Sequence, residues 1–218
     1  SHVSDPNLMR LAAQQFYQAL YTVDPVPDNN IDSYLDTVSF PSSVDSDTND
    51  FLLFPITLDE ILEQTKRTSN HSSPGVDGLG YQYLSFLYRI HSLHSLLLAV
   101  YNKSLITGVS PSSWKEIRVR LLPKKSDLTD LKNWRPISLI NCDAKIFTRI
   151  LNSRLAEIAQ ILIHPLQTGF LKNRFIGDIG LLLYLIIPQA KHSRHQGVGL
   201  FRDQEKAYDR VNPCYLTK

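Results

Sequence analysis

Cysteine is so scarce in this sequence that covalent staples and thiolate metal sites drop out as explanations of its fold. There are only two, Cys142 and Cys214. Their separation suits neither a disulfide framework, nor paired zinc-ligand spacing, nor a CxxC redox pair, so both are expected as reduced thiols. Long apolar runs are missing too. Leu181 to Ile187 and Leu96 to Val100 are the longest, far short of the roughly 20 residues that span a bilayer. The amino terminus lacks the basic-then-apolar order of a secretory signal. These absences set the expectation of a soluble, intracellular protein that stays clear of membranes. Basic residues, finally, are sparse in the first hundred positions, where 4 Lys and Arg face 12 Asp and Glu for a balance of −8. Residues 101–218 hold 19 against 9, a balance of +10 that the overall +2 conceals. That second part is the one suited to a polyanion, and the bland alternative is a set of solvated basic faces.

What is present suffices for a core, with 218 residues of which 43% are hydrophobic. Leu11, Phe16, Leu20 and Tyr21 predict a short amphipathic helix from Met9 to Tyr21, ending before Asp24-Pro25-Val26-Pro27. From there to Pro55 the chain is rich in Asp, Ser, Pro and Asn, which predicts a weakly ordered linker. Thr57 and Glu60 form a capping box with Ile56 as its staple, opening a helix to about Thr68. Ser72 to Gly78 is a loop. Tyr81 to Ile106 reads as helical with a break around His91, and Gly108 to Pro111 closes it. Ile117, Val119 and Leu121 alternate with Arg118 and Arg120, the pattern of a strand with one buried and one basic face. A polar excursion from Pro123 to Trp134 and a second strand from Ile137 to Ile140 complete a hairpin. Asp143 is placed to cap a long helix whose stripe includes Ile146, Ile150, Leu155, Ile158 and Leu162. His164-Pro165 ends it. Another apolar helix starts near Asp178, and Val198 to Asp203 reads as a last strand.

Four blocks follow one another along this framework. They are Phe54-Pro55-Ile56-Thr57 through Ser73-Pro74-Gly75-Val76-Asp77-Gly78; Leu121-Leu122-Pro123-Lys124-Lys125-Ser126-Asp127 with Asn133-Trp134-Arg135-Pro136-Ile137-Ser138-Leu139; His164-Pro165-Leu166-Gln167-Thr168-Gly169-Phe170 with Arg174 and Asp178; and Asp203-Gln204-Glu205-Lys206-Ala207-Tyr208-Asp209. Each alone is a modest signal, but in this order they resemble the reverse transcriptases of non-LTR (LINE-type) retrotransposons. The resemblance covers residues 54 to 218, and Phe16-Tyr17 and Leu20-Tyr21 look like the upstream linker of the same proteins. It implies an α/β right-hand polymerase fold, with residues 54–218 as fingers plus the beginning of the palm, truncated, and residues 1–53 as a helical and partly disordered extension.

By the same resemblance, the parent activity is RNA-templated addition of deoxynucleoside triphosphates to a DNA primer, a nucleotidyl transfer supported by two Mg2+ ions. Asp203 would be the catalytic metal ligand and the Gln204 carbonyl a second oxygen donor. Tyr208 would pack under the incoming sugar and exclude a 2′-hydroxyl, while Glu205 and Asp209 serve as scaffolding or solvated charge. Lys124 or Lys125, with Arg135, would hold the triphosphate, because a guanidinium grips phosphate bidentately and a lysine supplies a point charge. Gln167, Gly169, Phe170 and Arg174 would lie along template and primer. The structural alternatives are a turn carboxylate at Asp203, a core tyrosine at Tyr208, solubilising lysines, and a helix-to-helix turn with Phe170 in the core. No small-molecule cofactor beyond the metal is implied, and an active retrotransposon would place the protein in the nucleus.

Some residues depart from the family pattern. Arg202 occupies an aliphatic position where an unpaired charge facing packed helices is costly. Pro188 falls inside an expected helix, His71 replaces a lysine, and Asn173 replaces a glycine. With a single metal carboxylate, the chain alone is expected to be inactive. The alternatives to a polymerase fragment are a catalytically dead nucleic-acid-binding remnant and a non-functional product of a decayed element.

Overall fold

The computed structural model describes residues 5–22, 24–39, 42–66, 72–124, 127–193, 198, 200–203 and 211–218. In chain order the described elements begin with α1 (Pro6–Tyr21), α2 (Asp28–Leu35), α3 (Ser46–Leu53), α4 (Leu58–Lys66), α5 (Tyr81–Leu87), α6 (His94–Thr107) and α7 (Ser112–Lys115). The strands β1 (Arg118–Pro123) and β2 (Trp134–Leu139) follow, then α8 (Cys142–Leu162), α9 (Gly177–His192) and α10 (Pro213–Leu216). The result is mostly helical, with β1 and β2 forming a two-stranded sheet. Two compact units divide the chain. One holds Ser1–Pro41, Pro123–Trp134 and Leu183–Lys218; the other holds Ser42–Leu122 and Arg135–Leu182.

The stretch expected to be a linker holds two helices, α2, which follows Pro27 without a side-chain cap, and α3, and side-chain caps explain the starts of α1 and α3. Asp5 accepts from the N–H groups of Asn7 and Leu8 at 2.7 and 3.2 Å, with Pro6 in the first turn of α1. Asp45 does the same for α3 through the N–H of Thr48 at 2.8 Å. Some of the polarity read as disorder is therefore cap chemistry. The break expected near His91 is present as a 3-10 turn, His91–Leu93, between α5 and α6. Gly108 closes α6 in the left-handed conformation, φ 67°.

Other expectations need correction. Asn141, and not Asp143, precedes α8, and its amide does not cap the helix. Its Nδ2 donates to Ser113 O at 2.9 Å and its Oδ1 accepts from the N–H of Asp77 at 3.4 Å. Asp143 instead accepts the indole N–H of Trp114 at 2.7 Å. The Asp77 loop lies so close that a Cβ on Gly75 would sit 2.5 Å from the Asn141 nitrogen, so only glycine fits there. On α8, Ile146, Ile150 and Ile158 are buried, whereas Leu155 and Leu162 are exposed. Ile117 and Val119 are also exposed, so β1 lacks the expected buried face. Residues 198 and 200–203 form no strand, and Arg202 is exposed, which removes the cost of a charge facing packed helices. The helix α9 runs through Pro188, and none of its residues is buried.

The core of the second unit gathers α4, α5, α6, α7 and α8 around Ile61, Tyr81, Leu84, Tyr101, Trp114, Cys142, Ile146 and Ile150. Its polar atoms are managed by a chain of hydroxyls. Tyr101 Oη donates to the Asp143 carbonyl at 3.0 Å, which leaves Tyr88 Oη to donate to Tyr101 Oη at 3.1 Å. Burial pushes the Tyr88 hydroxyl up to about 12, and Tyr101 higher still, so both remain protonated donors.

A single side chain of α8 fixes how α3 and α4 meet it. Arg154, 6% exposed, forks onto Glu60 through Nε at 2.8 Å and Nη2 at 2.9 Å. It also donates to the carbonyls of Leu52 at 3.1 Å, Phe54 at 2.6 Å and Pro55 at 3.4 Å. Glu60 simultaneously closes the expected capping box, its Oε2 accepting from the N–H of Thr57 at 2.9 Å. Asn102 of α6 also pairs with the backbone of Ile56, accepting at 2.6 Å and donating at 3.0 Å.

Burial raises the Glu60 carboxyl, but the hydrogen bonds and charge of Arg154, with the Thr57 N–H, outweigh it and hold the group below its ordinary 4.5. A depressed carboxyl contributes stability above its unfolded value and loses it as pH falls through the folded one. Arg154→Met should therefore cost about 3 kcal/mol at neutral pH, the low end for a buried pair because Glu60 is partly exposed and screened. The deficit should shrink below about pH 4.5. Urea melts at pH 7 and pH 4 check this, and an equal deficit at both would count against the pair.

Candidate nucleic-acid interface

Strand alternation places Arg118, Arg120 and Leu122 on one face of β1 and Arg135, Ile137 and Leu139 on one face of β2. Arg118, Arg120, Leu122, Ile137 and Leu139 line a groove of about 400 Å³ with Ser73 and Pro74 as its wall. No carboxylate is among these lining residues. Arg135 continues the same face two residues before Ile137 and is exposed. The arrangement offers guanidinium groups over an apolar floor, which suits phosphates together with the flat faces of bases. Arg118 and Arg120 are legible in the sequence as a basic strand face. Their role as groove walls is not, because it needs the loop at Ser73 and Pro74 to return beside them.

The excursion between the strands is tied to itself. The Lys124 N–H donates to Asn133 O at 2.8 Å and its Nζ to Lys132 O at 3.1 Å. Asn133 Nδ2 donates to Asp127 O at 2.6 Å, and Trp134 Nε1 to Leu128 O at 3.0 Å. The side-chain and backbone bonds from Thr129 lower the Asp127 carboxyl. Lys125 lies outside the described residues.

The block after α8 is organised by Arg174. Its Nη1 donates to the carbonyls of His164 and Gln167 at 2.7 and 2.8 Å, its Nη2 to those of Gln160 and Ile163 at 3.1 and 2.8 Å. This cap satisfies carbonyls that the end of a helix leaves open. Gln167 Nε2 donates in turn to Gly169 O at 3.3 Å. Gln167, Gly169 and Arg174 thus share one turn, while Phe170 projects from it, 102% exposed and at φ 63°. Asn173 is also left-handed, φ 61°. A bulky residue at positive φ is uncommon, and the four carbonyl bonds of Arg174 hold the turn that imposes it. The core alternative for Phe170 does not hold.

Asp203 is exposed. Gln204 and Tyr208, with Glu205 and Asp209, lie outside the described residues. Among the described residues no three His, Cys, Asp or Glu side chains come together to hold a metal ion. The described donor set therefore does not fit a two-ion cage, which needs several hard oxygen ligands. Nor is any helix among the described residues long and apolar enough to cross a membrane.

Comparison with known proteins gives these features a context. The family model "Reverse transcriptase (RNA-dependent DNA polymerase)" matches residues 122–218. The transposon TX1 uncharacterized 149 kDa protein of Xenopus laevis is 33% identical over 98% of this chain and 16% of its own length. The retrovirus-related Pol polyprotein from the type-1 retrotransposable element R2 of Popillia japonica is 29% identical over 65% of this chain and 19% of its own. The RNA-directed DNA polymerase from the mobile element jockey of Drosophila melanogaster is 27% identical over 76% and 18%. The chain thus spans less than a fifth of the length of these curated relatives.

The Arg174 cap yields a direct prediction. Arg174→Lys retains the charge but loses the fork, so amide exchange across residues 160–174 should accelerate by roughly ten- to a hundredfold, matching about 1.5–3 kcal/mol of charge-assisted bonding. Exchange in α4 should be unchanged. Hydrogen-exchange mass spectrometry reads both, and an unaltered rate at residues 160–174 would show that the cap is dispensable.

Proposed function

We propose, from the premise that the chain classes with the RNA-directed DNA polymerases as a reverse-transcriptase-like region related to proteins of non-LTR retrotransposons, that it is a nucleic-acid-holding part of such a protein and does not itself transfer nucleotides. The observation that carries this reading is the groove walled by Arg118 and Arg120 over Leu122, Ile137 and Leu139. Fixed cations above an apolar floor favour a single strand with accessible bases, because phosphates and base faces are both served. The net +10 of residues 101–218 supports the same partner through long-range attraction.

In the finer reading the strand is an RNA template, and the groove belongs to the fingers of a right-hand polymerase. Arg135 with Lys124 or Lys125 then takes the triphosphate of an incoming deoxynucleotide, and Gln167, Gly169, Phe170 and Arg174 stand near template and primer. Both Nη groups of Arg174 are already bonded to four carbonyls, which leaves its charge more available than its donors. Asp203, the carbonyl of Gln204 and the ring of Tyr208 take the metal and sugar-selecting roles in a complete enzyme that uses Mg2+. Action on a genomic target would require the nucleus.

Binding of a single-stranded oligonucleotide should be indifferent to sequence and weaken steeply with salt. The double variant Arg118→Ala/Arg120→Ala should lower the log–log salt slope by about two, and Arg135→Ala by about one. Primer extension on an RNA template with Mg2+ should be undetectable. Affinity that ignores salt, or survives the double variant unchanged, would remove the groove from the reading. Extension abolished by Asp203→Ala would replace it with an active polymerase.

A further inference from the structure

Asn141 is 2% exposed, and both ends of its amide serve segments distant from it in the chain. Its Nδ2 reaches Ser113 O of α7 at 2.9 Å, and its Oδ1 accepts from the Asp77 N–H at 3.4 Å. Gly75 lies against the same side chain and its backbone, too close for a Cβ. One turn further along α8, Lys145 Nζ donates to Ser73 O at 3.1 Å. The start of α8 therefore grips the loop at Ser73, Gly75 and Asp77. Within the loop the Asp77 carboxylate accepts the Leu79 N–H at 3.0 Å, and Gly78 is left-handed, φ 73°.

Pro74 stands between two of these grips. Its ring fixes its own φ and restricts the backbone of Ser73 before it, so a displacement at Gly75 passes to the groove wall instead of being absorbed by soft dihedrals. That wall faces Leu122, Ile137 and Leu139, with Arg118 and Arg120 beside them. The arginines attract the phosphates of a single strand and of a duplex alike. Wall and floor together can enclose only a base whose face is free, and a duplex hides its base faces by stacking them on one another. We propose that Asn141, which does not itself line the groove, is a positioning residue that sets the preference of the groove for single strands over duplex, by holding the wall of Ser73 and Pro74 against the apolar floor. The selective role rests on the function proposed above, whereas the anchoring of the loop does not.

The test uses the whole chain. A labelled single-stranded oligonucleotide and the duplex that it forms with its complement are titrated by anisotropy over a salt series, and hydrogen exchange is followed on the free protein. Asn141→Ala removes both bonds of the amide. Gly75→Ala reaches the same contact from the loop, pushing the wall off α8 while the core side chains stay, so the outcome does not depend on one buried variant folding. Both variants should speed amide exchange across residues 73–79 and leave it as in the wild type across residues 118–123. Both should lower single-strand affinity about tenfold, the worth of roughly one enclosed base. Duplex affinity and the salt slopes should not change, because Arg118 and Arg120 are untouched. Faster exchange with an unchanged preference for single strands would overturn the selective role and leave the groove reading intact. An equal loss for both probes would overturn it too, since the wall would then support the arginines and select nothing. Unchanged exchange in Gly75→Ala would overturn the anchor itself. If the wild type binds neither probe, the earlier reading falls and the selective role with it, and the exchange rates alone then decide the anchor.

Discussion

One guanidinium on α8 governs the geometry of the segment from Leu52 to Glu60. Arg154 takes three carbonyls and both oxygens of Glu60, so the turn from α3 into α4 has little freedom left. Because Glu60 also closes the cap of α4, the tertiary contact and the helix start stand or fall together. The α4 helix then packs on α5 and α8. A buried pair of this kind gains little net stability over a well-packed apolar replacement of both partners, although removing one partner alone is costly. What it supplies is a defined seating, since five acceptors converge on one fork.

The sequence made parts of this plain and hid others for identifiable reasons. The capping box at Thr57 and Glu60, the break at His91 and the left-handed Gly108 are local signals, and each occurs where the residues indicated. Arg154 was invisible, because a lone arginine amid an apolar stripe reads as a solvated charge until its acceptors arrive from about a hundred residues earlier in the chain. Arg174 is named in a block that the resemblance assigns to template and primer, but its capping of α8 could not be read, because its four acceptors are carbonyls that any residue could supply. Asp143 looked like a cap but serves Trp114, while Asn141 stands before α8 with its amide occupied elsewhere. The expected last strand is not formed at residues 198 and 200–203, which pair with neither strand of the described sheet.

The candidate interface shows a similar division. Alternation in β1 announced a basic face, but the groove needs Ser73 and Pro74, and that approach depends on Gly75 lying against Asn141 where no side chain fits. The positions expected along template and primer gather in one turn through Arg174, yet its most exposed member, Phe170, is held at positive φ. Strain of that size persists only where neighbours over-determine the backbone, and here the neighbours are carbonyls at the end of α8. The metal half of the expected site is represented among the described residues by Asp203 alone.

The hairpin carries one more implication. Among the described residues the sheet has two strands, so β1 and β2 are both edge strands there, each presenting a row of open backbone donors and acceptors to any extended chain nearby. Pro136 interrupts the donor row of β2, since it has no N–H to offer. Along β1, Arg118 and Arg120 would set like charges against each other in a second copy stacked edge to edge. The arginines that suit a polyanion therefore also act as gatekeepers against self-assembly. Neutralising them would be expected to produce an aggregating protein as well as a weaker binder, so loss of binding in such a variant has meaning only if the protein remains monodisperse.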